Sequence, residues 1–181
     1  SAAALGGHLE VLQWARANGC PWDIRTCHKA AEGGHLKVLL WARKNGCPCD
    51  ENELHIAALN GQVAMVRALI DAGADVIKPW DNGAMPLCIA AEKGHEAIVR
   101  ALIELGADVN KPWDDGATPL LIAAQNGHEA IVRALIELGA DVNKAVDDGS
   151  TPLHMAAREG QEALMTGRRP CTWPLERATR R

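Results

Sequence analysis

Apolar and polar residues follow one another in a pattern that predicts short paired helices, most clearly between residues 114 and 143. The apolar stretch at 120–125 predicts a short first helix. Between 128 and 138, apolar residues return at helical spacing, which predicts a second, amphipathic helix. Residues that start or stop helices stand at the matching places: Thr118, Pro119, Gly127 and Gly139. After the second helix, residues 140–144 are predicted to run extended into the next turn.

This helix-turn-helix pattern recurs along the chain. A turn glycine returns at intervals of 27, 27, 33, 33 and 33 residues, at Gly7, Gly34, Gly61, Gly94, Gly127 and Gly160. The fifteen residues 96–110 reappear unchanged at 129–143. A fixed period of this size predicts an array of small repeats that stack and share one elongated core.

Three segments connect the pattern to a known family. Residues 118–124 read Thr-Pro-Leu-Leu-Ile-Ala-Ala, residues 151–157 Thr-Pro-Leu-His-Met-Ala-Ala, and residues 85–91 Met-Pro-Leu-Cys-Ile-Ala-Ala. Gly-Ala-Asp-Val-Asn closes the repeats at Asn110 and Asn143. With these motifs the chain resembles the ankyrin repeat family. The resemblance covers residues 1–165 and implies an all-α fold, an ankyrin-repeat solenoid of helix-turn-helix repeats with β-turn fingers.

The spacing also sets the expected domain organisation. One array at 1–165 is followed by a basic tail, 166–181, which we expect to be disordered. The N-terminal repeats lack two residues before the first helix and four from the finger, so short loops are expected there. The predicted repeats are 1–22, 23–49, 50–80, 81–113, 114–146 and a truncated 147–165.

Composition narrows the classes of function. Residues 1–165 carry 14 basic and 22 acidic side chains, which offers no extended basic stripe for nucleic acid. The six cysteines form neither a disulfide framework nor a zinc motif. Cys47 and Cys49, with Cys27 and His28 nearby and Cys20 on a neighbouring loop, are the one candidate metal cluster, but their spacing matches no common zinc module. We therefore expect no metal, no cofactor, no membrane span and an intracellular, cytoplasmic protein.

The candidate binding residues lie at equivalent finger tips. Trp80 and Trp113 both occur in Lys-Pro-Trp-Asp, 33 residues apart. Exposed rings at successive tips are good contact residues for a partner, because they bury a large area at little entropic cost. The alternative is that each ring packs over its own finger. The predicted contact set is Trp80, Trp113, Lys78, Lys111, Asp81 and Asp114.

Other repeated residues are interpreted as structural. Trp14 and Trp41 lie within second helices and are expected in the core or groove. The histidines that follow the turn glycines are expected to stabilise the turn, and Asn110 and Asn143 to bracket the finger.

The predicted function is a non-enzymatic protein-interaction module, monomeric, that binds another protein through the finger tips and the concave helix face. No nucleophile–base set or phosphate loop stands outside the repeated template. The alternative is an ankyrin segment that targets or scaffolds a larger protein, such as an enzyme subunit, a ubiquitin-ligase adaptor or a channel.

Overall fold

The fold is all-α, as the sequence predicts. A computed structural model describes residues 2–50, 52–80, 82–146, 149–152 and 154–158, and no strand occurs among them. The bounded helices, in chain order, are α1 (Ala2–Leu5), α2 (Leu9–Ala17), α3 (Ile24–Glu32), α4 (Leu36–Lys44), α5 (Asn52–Leu59), α6 (Val63–Asp71), α7 (Pro86–Lys93), α8 (Glu96–Glu104), α9 (Pro119–Gln125) and α10 (Glu129–Glu137). Residues 154–158 are also helical.

The described residues divide into two compact bodies, an N-terminal one that ends at Lys78 and a C-terminal one that begins at Pro79. In the N-terminal body, helices pair along the chain as α1 with α2, α3 with α4 and α5 with α6, and the first helices stack in the order α1, α3, α5. In the C-terminal body, α7 pairs with α8 and α9 with α10, while α7 stacks on α9 and α8 on α10. Stacking of like helices is the packing expected of a repeat protein.

Helix α9 illustrates how the sequence produces this arrangement. The Thr118 hydroxyl caps the helix by accepting a hydrogen bond from the Leu121 N–H at 3.2 Å. Pro119 fills the first turn, where its missing N–H costs no hydrogen bond. All residues from Pro119 to Ala124 are buried, because this first helix lies inside the stack.

The second helices of the C-terminal body, α8 and α10, are buried along one face only. In α10 the buried residues are Ile131, Val132, Ala134 and Leu135, and the identical α8 buries the equivalent four. The core of both bodies consists mainly of small and branched aliphatic side chains. Side chains of this size let the stacked helices pack closely, as the composition predicts.

The short repeats have short connections. Residues 18–23 join α2 to α3 and residues 45–51 join α4 to α5, whereas residues 105–118 join α8 to α9. In the described part of the chain, no helix has the length and apolar character needed to cross a bilayer.

One core prediction is wrong. The Trp14 side chain is 69% exposed, and α2 contributes no buried residue, because it pairs with a first helix of only four residues. Trp41, the equivalent residue of α4, is partly buried and meets Trp22 edge-on with ring centroids 5.4 Å apart. The Arg16 guanidinium lies over the Trp22 ring, 4.6 Å from its centroid.

Candidate partner-binding surface

The predicted contact residues of the C-terminal body lie in or beside two tight turns, at 80–84 and 113–117. We call these the finger turns. One predicted contact residue, Asp81, lies outside the described residues. In the first, the Trp80 N–H donates to the Ala84 carbonyl at 2.8 Å. In the second, the Trp113 N–H donates to the Ala117 carbonyl at 2.8 Å. The two turns therefore share one backbone geometry, and Val146 takes the tryptophan's place in the next repeat by donating to Ser150.

The tryptophan rings are partly buried, so the prediction of exposed rings holds only in part. The indole Nε1–H of Trp113 donates to the Asn82 carbonyl, in the preceding finger turn, at 3.2 Å. This contact matches neither sequence-based alternative, since the ring reaches the neighbouring finger turn. Trp113 thus joins two finger turns and keeps part of its ring accessible.

Charged residues supply the exposed part of the surface. Lys111 and Asp114 are exposed, and Asp114 lies directly against Gly83, where a Cβ would overlap its carboxylate. Lys78 is also exposed and belongs to the N-terminal body. The structure therefore places Trp113 and Asp114 together against the preceding finger turn.

Asn110 fastens the finger to the next repeat. Its side-chain Oδ1 accepts a hydrogen bond from the Asp141 N–H at 2.8 Å, and its Nδ2 donates to the Gly139 carbonyl at 3.4 Å. The Lys144 ammonium also donates to the Asn110 carbonyl at 3.1 Å. These bonds fix the base of the finger, which is the bracketing role predicted for Asn110.

Replacing Asn110 by alanine is expected to destabilise the protein by about 1–2 kcal/mol, because the Asp141 N–H and the Gly139 carbonyl lose their partner. Asn143 is the matched control: it ends the same Gly-Ala-Asp-Val-Asn motif, and among the described residues its side chain makes no such bond. Urea unfolding of both alanine variants measures the difference. Equal losses of stability in the two alanine variants would contradict the bracketing role of Asn110.

Histidines make a second set of bonds between successive repeats. His35 Nε2 lies 2.9 Å from the Leu5 carbonyl, and His128 Nε2 lies 2.9 Å from the Glu92 carbonyl. Gln62 occupies the same place in its repeat and donates to the Glu32 carbonyl at 3.3 Å. His35 and His128 thus join successive repeats, and as N-cap residues of the second helices neither makes a side-chain capping hydrogen bond.

Cys88 is a thiol of low reactivity. It is fully buried in α7, and burial raises the pKa of its thiol to about 12. At pH 8 such a thiol is ionised in roughly one molecule in 10,000, so it is a poor nucleophile.

We expect iodoacetamide at pH 8 to modify the exposed Cys20 in the native protein and to leave Cys88 unmodified until denaturant is added. Peptide mass spectrometry at successive times measures both rates. Modification of Cys88 at the Cys20 rate would contradict the burial of α7.

The cysteines of the N-terminal body are not all free, which corrects the expectation of no pairing. A disulfide joins Cys27 of α3 to Cys49, with Cα atoms 5.9 Å apart. Packing of loop 45–51 against α3 brings them together, and the buried thiol of Cys47 lies within 4.8 Å of both sulfurs. Beside the disulfide, His28 Nε2 lies 2.8 Å from Asp50 Oδ1.

Comparison with known families agrees with this architecture. The family model described as ankyrin repeats (3 copies) matches residues 1–79, 27–113, 54–146 and 87–166. Among curated proteins, none matches the chain. Ankyrin repeats are in general protein–protein interaction modules. The overlapping matches cover most of the sequence, and the paired, stacked helices are those the motifs imply; the chain therefore belongs to the ankyrin repeat family.

Proposed function

We propose that the chain is a non-enzymatic interaction module, acting as a monomer, that binds another protein through its fingers. In the C-terminal body, the surface consists of Trp80, Trp113, Lys111 and Asp114. Lys78 and Asp81, predicted from the sequence, complete the set. The observation that supports it best is the fastening of one finger on both sides: Trp113 bonds to the preceding finger turn, and Asn110 bonds to the next repeat.

Fastened fingers favour binding for an entropic reason. A partner that meets a mobile loop loses affinity to the cost of ordering it, whereas a loop already fixed has little freedom left to lose. The finger turns satisfy their own backbone groups, so the exposed Lys111 and Asp114 side chains are presented from a defined backbone.

The fingers offer more recognition chemistry than the first helices. Residues Pro86–Ala91 of α7 and Pro119–Ala124 of α9 are buried, so these helices present few side chains to a partner. Lys111 and Asp114 present opposite charges beside the accessible part of the Trp113 ring. This combination suits a protein surface with complementary charges around an apolar contact.

The test begins with capture by a photo-crosslinking residue placed at position 111, followed by mass spectrometry and purification of the partner. Isothermal titration then measures the Kd of the wild type, Lys111→Glu and Asp114→Lys. Trp113→Ala is avoided as the main variant because it also removes the bond to Asn82. The matched control is Lys37→Glu, the same charge change at an exposed lysine of α4.

Both finger variants are expected to weaken binding about tenfold or more, and Lys37→Glu to leave it unchanged. Circular dichroism verifies that all variants are folded. A partner that binds the finger variants and the wild type equally would place the interface elsewhere. Light scattering of the free protein measures its molar mass and so tests whether it is a monomer.

A further inference from the structure

The N-terminal body holds a cluster of metal-ligating side chains away from the fingers. His28 Nε2, a carboxylate oxygen of Asp50 and one of Glu53 all lie within 4.8 Å of one another. His28 comes from α3, Asp50 immediately follows loop residue Cys49, and Glu53 lies in the first turn of α5. Three segments that belong to two successive repeats therefore converge here.

Glu53 is the unexplained member of this cluster. Its side chain is fully buried, and among the described residues neither carboxylate oxygen has a hydrogen-bond partner. Burial raises the pKa of the Glu53 carboxyl, while the charges of His28 and Arg43 act in the opposite direction. A buried carboxylate without a partner is costly, and a bound cation is one of the few groups that would satisfy both oxygens.

We propose that His28, Asp50 and Glu53 form a binding site for a divalent transition metal of the zinc class. One imidazole nitrogen and two carboxylates are a donor set that Zn²⁺ accepts, with water completing four-coordination. Asp50 Oδ1 also accepts the Asn52 N–H at 2.9 Å, which fixes the orientation of the carboxylate.

Zinc binding requires only small shifts of the three ligand atoms. A tetrahedral zinc ion with bonds of about 2.0–2.1 Å holds its ligand atoms roughly 3.3 Å apart. His28 and Asp50 are separated by 2.8 Å and need to move slightly apart, while Glu53 moves toward them. The His28 and Asp50 side chains are 26% and 33% exposed, so an ion has access from solvent on that side.

The disulfide beside the cluster positions two of the three ligands. Cys27 precedes His28 and Cys49 precedes Asp50, so the Cys27–Cys49 bond holds the His28 and Asp50 backbones close together. The sulfurs themselves are poor candidates for ligands. Two are joined to each other, and burial raises the pKa of the third, Cys47.

Arg43 offers a competing explanation for Glu53. Its Nη1 is also buried with no hydrogen-bond partner in the part of the chain that the structure describes, and its charge acts on the Glu53 carboxyl. If Arg43 is the group that neutralises Glu53, neither the wild type nor the variant that lacks Arg43 should bind zinc. If the cation is a metal, removing the like charge of Arg43 would keep or tighten binding.

Isothermal titration of the chelator-treated full chain with ZnCl₂ at pH 7 tests the site, with Co²⁺ as a spectroscopic probe. The variants are Glu53→Gln, which keeps the shape of the side chain, His28→Gln and Arg43→Gln. Glu32→Gln is the matched control, since Glu32 is an exposed glutamate of the same body. Circular dichroism and urea unfolding of each apo variant separate loss of metal from loss of fold.

We expect each chain to bind one zinc ion. Glu53→Gln or His28→Gln should weaken the affinity for zinc about 100-fold, since loss of a ligand should cost at least the roughly 10–100-fold typical of an outer-shell partner. Glu32→Gln should leave the affinity unchanged. The cobalt spectrum should lack a sulfur-to-metal charge-transfer band. Absence of zinc binding would overturn the proposal. So would binding that survives Glu53→Gln, which would indicate surface histidines, or a charge-transfer band abolished by Cys27→Ser.

Discussion

Replacing Cys27 and Cys49 together by serine is expected to lower the free energy of unfolding by about 3 kcal/mol. The two residues are 22 positions apart, and the bond between them restricts the unfolded chain by closing that loop. Both serines would also stand where α3 meets loop 45–51, close to buried Cys47, so little repacking is available to offset the loss.

Urea unfolding followed by circular dichroism measures this effect, with and without dithiothreitol. The reductant should reproduce the double substitution in the wild type and do nothing further to the variant. Cys20→Ser is the control, because Cys20 is exposed and forms no disulfide with a described cysteine, so its replacement should change stability by less than about 0.5 kcal/mol. The prediction would be contradicted if dithiothreitol left the unfolding curve of the wild type unchanged.

The repeats made most of the fold predictable. The copied segments 96–110 and 129–143 become α8 and α10 with the same buried positions, because identical sequence in identical surroundings folds identically. The turn glycines, Thr118 and Pro119 mark where helices begin and end. Periodicity and capping are local signals, and a single sequence contains them in full.

Contacts between repeats were less accessible to sequence reasoning. The sequence places the indole of Trp113 at its own finger tip, whereas its bond to Asn82 depends on how closely successive finger turns stack. The pairing of Cys27 with Cys49 depends likewise on the path of loop 45–51 across α3. Spacing along the chain places equivalent residues in register, but it does not tell which non-equivalent residues meet.

The burial of Glu53 had no sequence signal at all. A glutamate near the start of a helix is usually a solvated residue that favours the helix N-terminus. Here Glu53 is fully buried in α5, close to His28 of the preceding repeat and to Asp50 at the start of its own repeat. The proposed metal site therefore arises from the stacking of two repeats, and no motif within either one predicts it.

Close stacking also makes one glycine of the N-terminal body difficult to replace. Gly33→Ala is expected to cost about 2–3 kcal/mol, within the range for overpacking of a tight contact. The backbone of Gly33 has φ of −78°, which any residue adopts, so the substitution brings no local strain. Its new Cβ, however, would overlap the Leu5 carbonyl oxygen and lie 2.7 Å from His35 Cδ2.

That carbonyl is the partner of His35 Nε2 in the bond between the first and second repeats, so the added methyl group would break the bond and push the repeats apart. Gly46→Ala is the matched comparison: Gly46 has φ of +79°, yet no atom of the described residues lies within 4 Å of its added Cβ. Left-handed backbone alone costs a non-glycine residue about 1–2 kcal/mol. If backbone conformation dominated, Gly46→Ala would be the more damaging change. If the contact between repeats dominates, as we expect, urea unfolding will show Gly33→Ala to be the less stable variant, and amide exchange will rise first in α1.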